Sequence, residues 1–163
     1  MMKKSMFYAL TVMVLCAGRL IFSTSANVKQ LTKNGVCLGC DFMGDDLSNK
    51  TFEKVRANGA DFGLTHLTSA IFKGPAQLRG AQFISAQANG ANFSTADLSG
   101  ADFFQVELLN ANFDKANLSG ADFNGAILKG ATFNGAKLAG ALFPSHWLDL
   151  LTPDQKKVVQ VLT

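Results

Sequence analysis

Residues 119–143 read SGADFNGAILKGATFNGAKLAGALF. Phe or Leu stands at every fifth place, at 123, 128, 133, 138 and 143, and an alanine stands two places before each. This period fits neither a strand, whose faces alternate every second residue, nor an α-helix, whose faces return every 3.6. It is an internal repeat, and a frame drawn from it can be followed back toward the N-terminus.

With the apolar residue as the centre of each unit, the frame runs from Phe42 through Leu47, Phe52, Ala57, Phe62 and Leu67 to Phe72. Pro75 adds one residue. The frame resumes at Leu78 and holds to Phe143, which makes twenty-one units over residues 40–145. The centres alternate between Phe and Leu or Ala, and the alternation survives Pro75. Proline lacks an N–H, so the insertion is expected to bulge at a corner without shifting the register.

ANFST-ADLSG-ADFFQ (91–105) and ANFDK-ANLSG-ADFNG (111–125) resemble the pentapeptide-repeat family, whose units read A-[DN]-[LF]-x-x. The resemblance implies an all-β solenoid: a right-handed quadrilateral parallel β-helix of about five coils, four units to a coil. A short C-terminal capping helix and an N-terminal signal helix complete the expected fold. The physics agrees, because a short extended piece and a turn aim one large and one small side chain inward, and stacking the coils builds the core. Alternation then places the Phe columns on two opposite walls, with Leu, Ala57 and Ala88 on the others. Glycines 59, 80, 100, 120 and 140 end every unit of one Leu wall, which implies turns with positive φ or a bare corner.

The expected divisions are a signal peptide over 1–26, an N-terminal cap over 27–39, repeats over 40–145 and a helical cap over 146–163. Lys3 and Lys4 precede an apolar run from Met6 to Gly18, and Thr24-Ser25-Ala26 suits a signal peptidase. This reads as export to a bacterial periplasm or beyond, with no membrane association after cleavage. The alternative is an uncleaved inner-membrane anchor. The net charge of +3 comes from Lys3, Lys4 and Arg19, and the rest is neutral, no argument for nucleic-acid binding.

At the ends, a helix is expected from Asn27, as N-cap, to Gly35. Cys37 takes a centre and Cys40 an inward alanine place; a capping disulfide, two buried thiols, or a redox or metal site are the readings. Thr152-Pro153-Asp154-Gln155 starts a C-terminal helix. Trp147, Leu148, Leu151, Val158, Val159 and Leu162 are expected to cover the last coil. A homodimer through this helix is a further expectation.

No catalytic residues, cofactor or metal site is expected: His66 and His146 lie far apart, and no nucleophile elbow or phosphate loop occurs. Two surface features remain. One Phe wall carries Asp41, Asp61, Gln82, Asp102 and Asp122 before its centres, with Asp46 and Glu107 alongside. The same wall is expected to present Met43, Leu64, Ile84 and Phe104 outward, with Leu109 round the corner. Together they make a candidate surface for a protein partner on a non-enzymatic scaffold. Some members of the resembled family mimic DNA and bind DNA gyrase, giving quinolone protection. That is one alternative, and a redox or disulfide role for Cys37 and Cys40 is another.

Overall fold

The computed structural model describes residues 25–162 and, before them, Leu15–Cys16 (β1) and Arg19–Leu20 (β2), an antiparallel pair. The signal helix expected within residues 1–26 otherwise lies outside the described residues. Helix α1 (Ser25–Asn34) follows, and the chain then winds into a parallel β-helix with four walls. Bridges join residues 20 apart below Pro75, 21 apart across it and 20 apart beyond it. Numbered in chain order, the first wall runs from Val36 through Arg56, Gln77, Asp97 and Asn117 to Lys137, and the second, third and fourth start at Asp41, Asp46 and Thr51.

The five-residue unit explains itself in its hydrogen bonds. Around Phe103, the Asp102 N–H donates to the Ala81 carbonyl of the coil before, at 3.0 Å. The Phe103 N–H donates to Asp122 of the coil after, at 2.7 Å, and Gln105 donates to Asn124 at 2.9 Å. Val106 N–H closes the corner on the Phe103 carbonyl at 3.2 Å. Neighbouring coils therefore satisfy the backbone that a short extended piece leaves open. In the coils before Pro75, Thr51–Glu53 (β3) and Ile71–Lys73 (β4) run far enough to form a three-residue parallel pair. Pro75 is exposed at the corner after β4, so the insertion bulges outward as the reading required.

The interior holds two Phe columns. Phe42, Phe62, Phe83, Phe103 and Phe123 stack on the second wall at 4.8–5.0 Å between rings. Phe52, Phe72, Phe93, Phe113 and Phe133 stack on the fourth at 5.0–5.3 Å. The columns meet edge to face across the axis, as Phe103 does with Phe113 at 5.5 Å and 85°. Stacking along the axis and T-shaped contact across it are the two arrangements the ring quadrupole favours. The Leu and Ala centres of the first and third walls fill what remains, all buried.

The fifth residue of a unit takes positive φ on every wall: Gly100 at 66°, Gln105 at 56°, Asn110 at 56°, Lys115 at 61°. The turn therefore does not by itself select the glycine column of the first wall. A Cβ added at Gly59, Gly80, Gly100, Gly120 or Gly140 would meet nothing within 4 Å, so this corner is bare and open.

Both ends are closed by side chains that stand in for absent rungs. Helix α1 begins at Ser25, not at Asn27 as expected, and stops at Gly35. Asn27 instead donates its amide to the Asp41 carbonyl at 2.8 Å, and Gln30 donates to Val36 at 3.1 Å. In every later coil the corresponding carbonyl accepts a backbone N–H, as Asp61 does from Phe42. Because Val36 bridges Arg56, stacking begins at residue 36.

At the far end, strand β5 (Leu142–Pro144) leads into a 3-10 helix over Ser145–Leu150. Thr152 then caps the four-residue helix α2 (Pro153–Lys156) in a capping box with Gln155. Buried Gln155 donates to the Phe133 and Ala136 carbonyls at 2.7 and 3.1 Å. Leu151 is buried, and Trp147, Leu148 and Val159 pack against the last coil. Val158, expected to cover that coil, is 47% exposed. The chain has by then left the helix for β6 (Gln160–Leu162), which pairs in parallel with β5.

Candidate functional site

The outer surface of the second wall carries Met43, Ile84 and Phe104 and the carboxylates of Asp41, Asp61, Asp102 and Asp122, whereas Leu64 and Leu109 lie off it. Asp41, Asp61, Gln82, Asp102 and Asp122 form one bridged row, ending at Leu142. Each of the four carboxylates accepts the N–H two residues on: Met43 at 2.9, Gly63 at 2.8, Phe104 at 2.8 and Asn124 at 2.7 Å. A short polar side chain bonding its own backbone is what Asp and Asn do in turns. One carboxylate oxygen is thereby held in place, and the side chains stay half-exposed.

Beside this row runs an apolar one. Met43 and Phe104 are half-buried, and Ile84 is 37% exposed. Leu64 does not belong to it: the place between Met43 and Ile84 is taken by Gly63, and Leu64 occupies the corner, at φ 55° and 57% exposed. A Cβ on Gly63 would lie 3.7 Å from the Met43 methyl and 3.0 Å from the Asp61 carboxylate. The Ile84 carbonyl oxygen lies 3.6 Å from the same point and Gly63 is buried, so its neighbours already close over the place of the missing side chain. Frame reading passed over Gly63, although ADFGL reverses the usual order of a side chain followed by a glycine, seen in ADFNG. Leu109 lies on the third wall, next to Glu107 of that wall's bridged row.

Charge is divided between the walls. The second and third walls together hold seven carboxylates and one lysine, Lys129. The first and fourth hold seven cations and three carboxylates. The second wall has four carboxylates and no cation. On the third wall, the Ser48 N–H and hydroxyl hold the Asp46 carboxyl below its ordinary 3.8, with help from His66 and Lys50 nearby. Those two groups are attracted to the ionised form.

Cys37 and Cys40 are joined by a disulfide across the first corner, between the first and second walls. Cys37 is fully buried, and Cys40 is half-buried beside α1. Among the described residues, no group of His, Cys, Asp and Glu is arranged to hold a metal ion. A cleft of about 520 Å³ between the end of α1 and β3 is lined by Lys33, Glu53 and Lys54 among others. Its one carboxylate, Glu53, pairs with Lys73 at 3.5 Å. No helix among the described residues is long and apolar enough to cross a membrane.

Two models of pentapeptide repeats match the chain, over residues 67–109 and 107–143. No curated protein matches it. Among solved structures it is similar to a pentapeptide repeat protein from the thylakoid lumen of Arabidopsis thaliana. That match has 36% identity, covers 73% of this chain and 79% of the other, and has a TM-score of 0.48. It is similar to a pentapeptide repeat protein of Nostoc at 26% identity, covering 63% and 84%, with a TM-score of 0.54. It is also similar to a trypsin-treated form of QnrB1, a plasmid-mediated fluoroquinolone resistance protein. Identity there is 25%, coverage 67% and 57%, and the TM-score 0.57. With its repeats matched by these models and its fold similar to these solved structures, the chain belongs to the pentapeptide-repeat family and has that family's right-handed β-helix fold.

Proposed function

We propose that this chain is an exported, non-enzymatic scaffold that binds a protein partner through its second wall. The observation that carries this reading is the row of Met43, Ile84 and Phe104 beside half-exposed, backbone-held carboxylates. Both rows sit on a lattice whose core is fully packed, so a partner meets a preformed surface and little ordering opposes binding. Export is supported by the charged and apolar N-terminal sequence and by the Cys37–Cys40 disulfide, a bond that persists in oxidising compartments. Cleavage after Ala26 would fall in the first turn of α1. An uncleaved anchor would leave the same scaffold tethered. Dimerisation through the C-terminal helix has only the four residues of α2 to rest on, and its buried Gln155 already serves its own coil.

The test is cross-linking in the native organism with Ile84→Asp and Phe104→Asp combined. Recovered partners should be lost, and retention of all of them removes the second wall as the contact. A second reading, DNA mimicry directed at DNA gyrase, is favoured by the cation-free acidic wall and by the likeness to QnrB1. A fusion reporter separates the two. Activity outside the cytoplasm supports the exported scaffold, whereas cytoplasmic activity with a response in a gyrase supercoiling assay supports the mimic.

A further inference from the structure

We infer that the outer edge of β3 is a further docking site, one that takes an extended peptide segment bearing a carboxylate as an added strand. It lies on the fourth wall of the first coil and stands independently of the second-wall contact.

The sheet supplies the first observation. Strand β3 pairs with β4 on one side only, Phe52 opposite Phe72, with Thr51 and Glu53 opposite Ile71 and Lys73. In a parallel ladder, alternate residues of a strand bond the same neighbour. One coil on, the groups of β4 that face back are taken. The Ile71 N–H donates to the Lys50 carbonyl at 2.9 Å, and the Lys73 carbonyl accepts from Lys54 at 2.8 Å. On β3 the N–H and carbonyl of both Thr51 and Glu53 have no partner among the described residues. The N-terminal caps do not supply one, since Gln30 serves Val36 on the first wall and Asn27 serves Asp41 on the second. An edge that offers donors and acceptors in line is a template for another strand.

The second observation is room. Leu31 of α1 is buried in the core at this end, but no hydrogen bond joins the helix to β3. The cleft of about 520 Å³ lies between them, lined by Leu31 and Phe52 and by exposed Asn34, Thr51 and Glu53. Clefts of this volume hold ligands of small-molecule size, enough for the few residues β3 can pair. Side chains of an added strand alternate, so those turned inward rest on Leu31 and Phe52 and are apolar, while the others face solvent.

The third is charge. Lys33 and Lys54 line this cleft, are exposed and make no ion pair among the described residues. The one carboxylate of the cleft, Glu53, is engaged by Lys73 at 3.5 Å. An incoming carboxylate therefore meets two uncommitted cations. Main-chain bonds to Thr51 and Glu53 hold the segment, and the lysines select its charge.

The experiment uses the purified chain, amide hydrogen exchange followed by NMR, and a fluorescent peptide of Val-Glu repeats. Lys-for-Glu and Pro-for-Val counterparts reverse the charge or prevent strand pairing. In the chain alone, the Thr51 and Glu53 amides should exchange at least about tenfold faster than those of Ile71 and Lys73. Saturating Val-Glu peptide should slow both by about tenfold and leave the second-wall amides unchanged. Two variants are compared with the parent. Thr51→Pro removes an edge donor that bonds nothing in the structure, at a strand start where proline is tolerated. Lys33→Gln with Lys54→Gln removes the charge. Melting temperatures of both should stay near the parent's, and each should weaken the Val-Glu peptide about tenfold. Should Thr51→Pro melt early, the lysine pair and the exchange rates decide. Ile84→Asp with Phe104→Asp should leave this affinity unchanged, so the two sites fail separately. Equal binding of either counterpart peptide, indifference to the lysine changes, or no slowing of the two amides overturns the inference. So does slow exchange of both amides in the chain alone, which would mean that the edge is already covered by this chain or by a second copy.

Discussion

The indole N–H of Trp147 donates to the Ala126 carbonyl at 3.0 Å across 21 residues. In the coils below, the same carbonyl accepts a backbone N–H from the next coil, as Val106 does from Ile127 at 2.9 Å. Trp147 therefore supplies a rung for a coil the chain does not build. Trp147→Phe keeps the ring and removes the donor, leaving one carbonyl short of a partner. It should lower stability by about 1–2 kcal/mol in denaturant unfolding. No loss would mean that packing alone closes this end.

Phe103 stacks at 4.9 Å on both Phe83 and Phe123 and meets Phe93 and Phe113 edge on. Phe42, at the first coil, has one stacked neighbour, Phe62. Phe103→Ala should cost about 3–5 kcal/mol, and Phe42→Ala should fall at or below the low end of that range. Equal costs, read from urea midpoints at constant slope, would argue against the columns as the source of core stability.

Gly100 and Gly63 separate conformation from space. Gly100→Ala forces a Cβ into φ 66° with nothing nearby to relieve or worsen it, and should cost roughly 1 kcal/mol. Gly63→Ala carries no such backbone term and should cost less. The reverse order in thermal melts would show that Gly63 serves the turn.

Asp46 and Asp114 give the sign of the acid response. Burial raises the Asp114 carboxyl, but bonds from Thr132 and Asn134 outweigh it and hold the group below its ordinary 3.8, as the Ser48 bonds do for Asp46. A depressed folded value means the unfolded chain binds more protons as the solution turns acid. The stabilisation is thus complete above about pH 4 and lost as pH falls through the lowered values. Melting temperature should stay level from pH 7 to 5 and fall below 4, with a shallower fall in Asp46→Asn. A drop already complete at pH 5 would need another group.

The coil was legible because one unit states its whole environment: a small inward residue, an Asp or Asn that bonds its own turn, a large centre. Parity of the centres then fixed the opposite Phe walls. The ends were less legible because their residues serve partners outside their own element. Asn27 has the composition of a helix cap, yet its amide serves Asp41. Val158 and Val161 look like one face of a continuing helix. The Gly140 N–H and Ala141 carbonyl instead bond Val158 and Gln160, and the strand wins. The composition of the second wall was legible in outline, but Leu64 stands at the corner, one residue past the outward place, and Gly63 shows itself only against the φ of the other glycines.

The exposed corner at Pro75 lengthens one coil to 21 residues while the Phe72–Phe93 stack above it stays at 5.0 Å. Length added at that corner is absorbed locally, since the bridges on either side keep their order. Residue 75 is therefore a graft point. An epitope or fluorophore-bearing loop inserted there should ride on the rod as a handle, leaving the second wall uncovered.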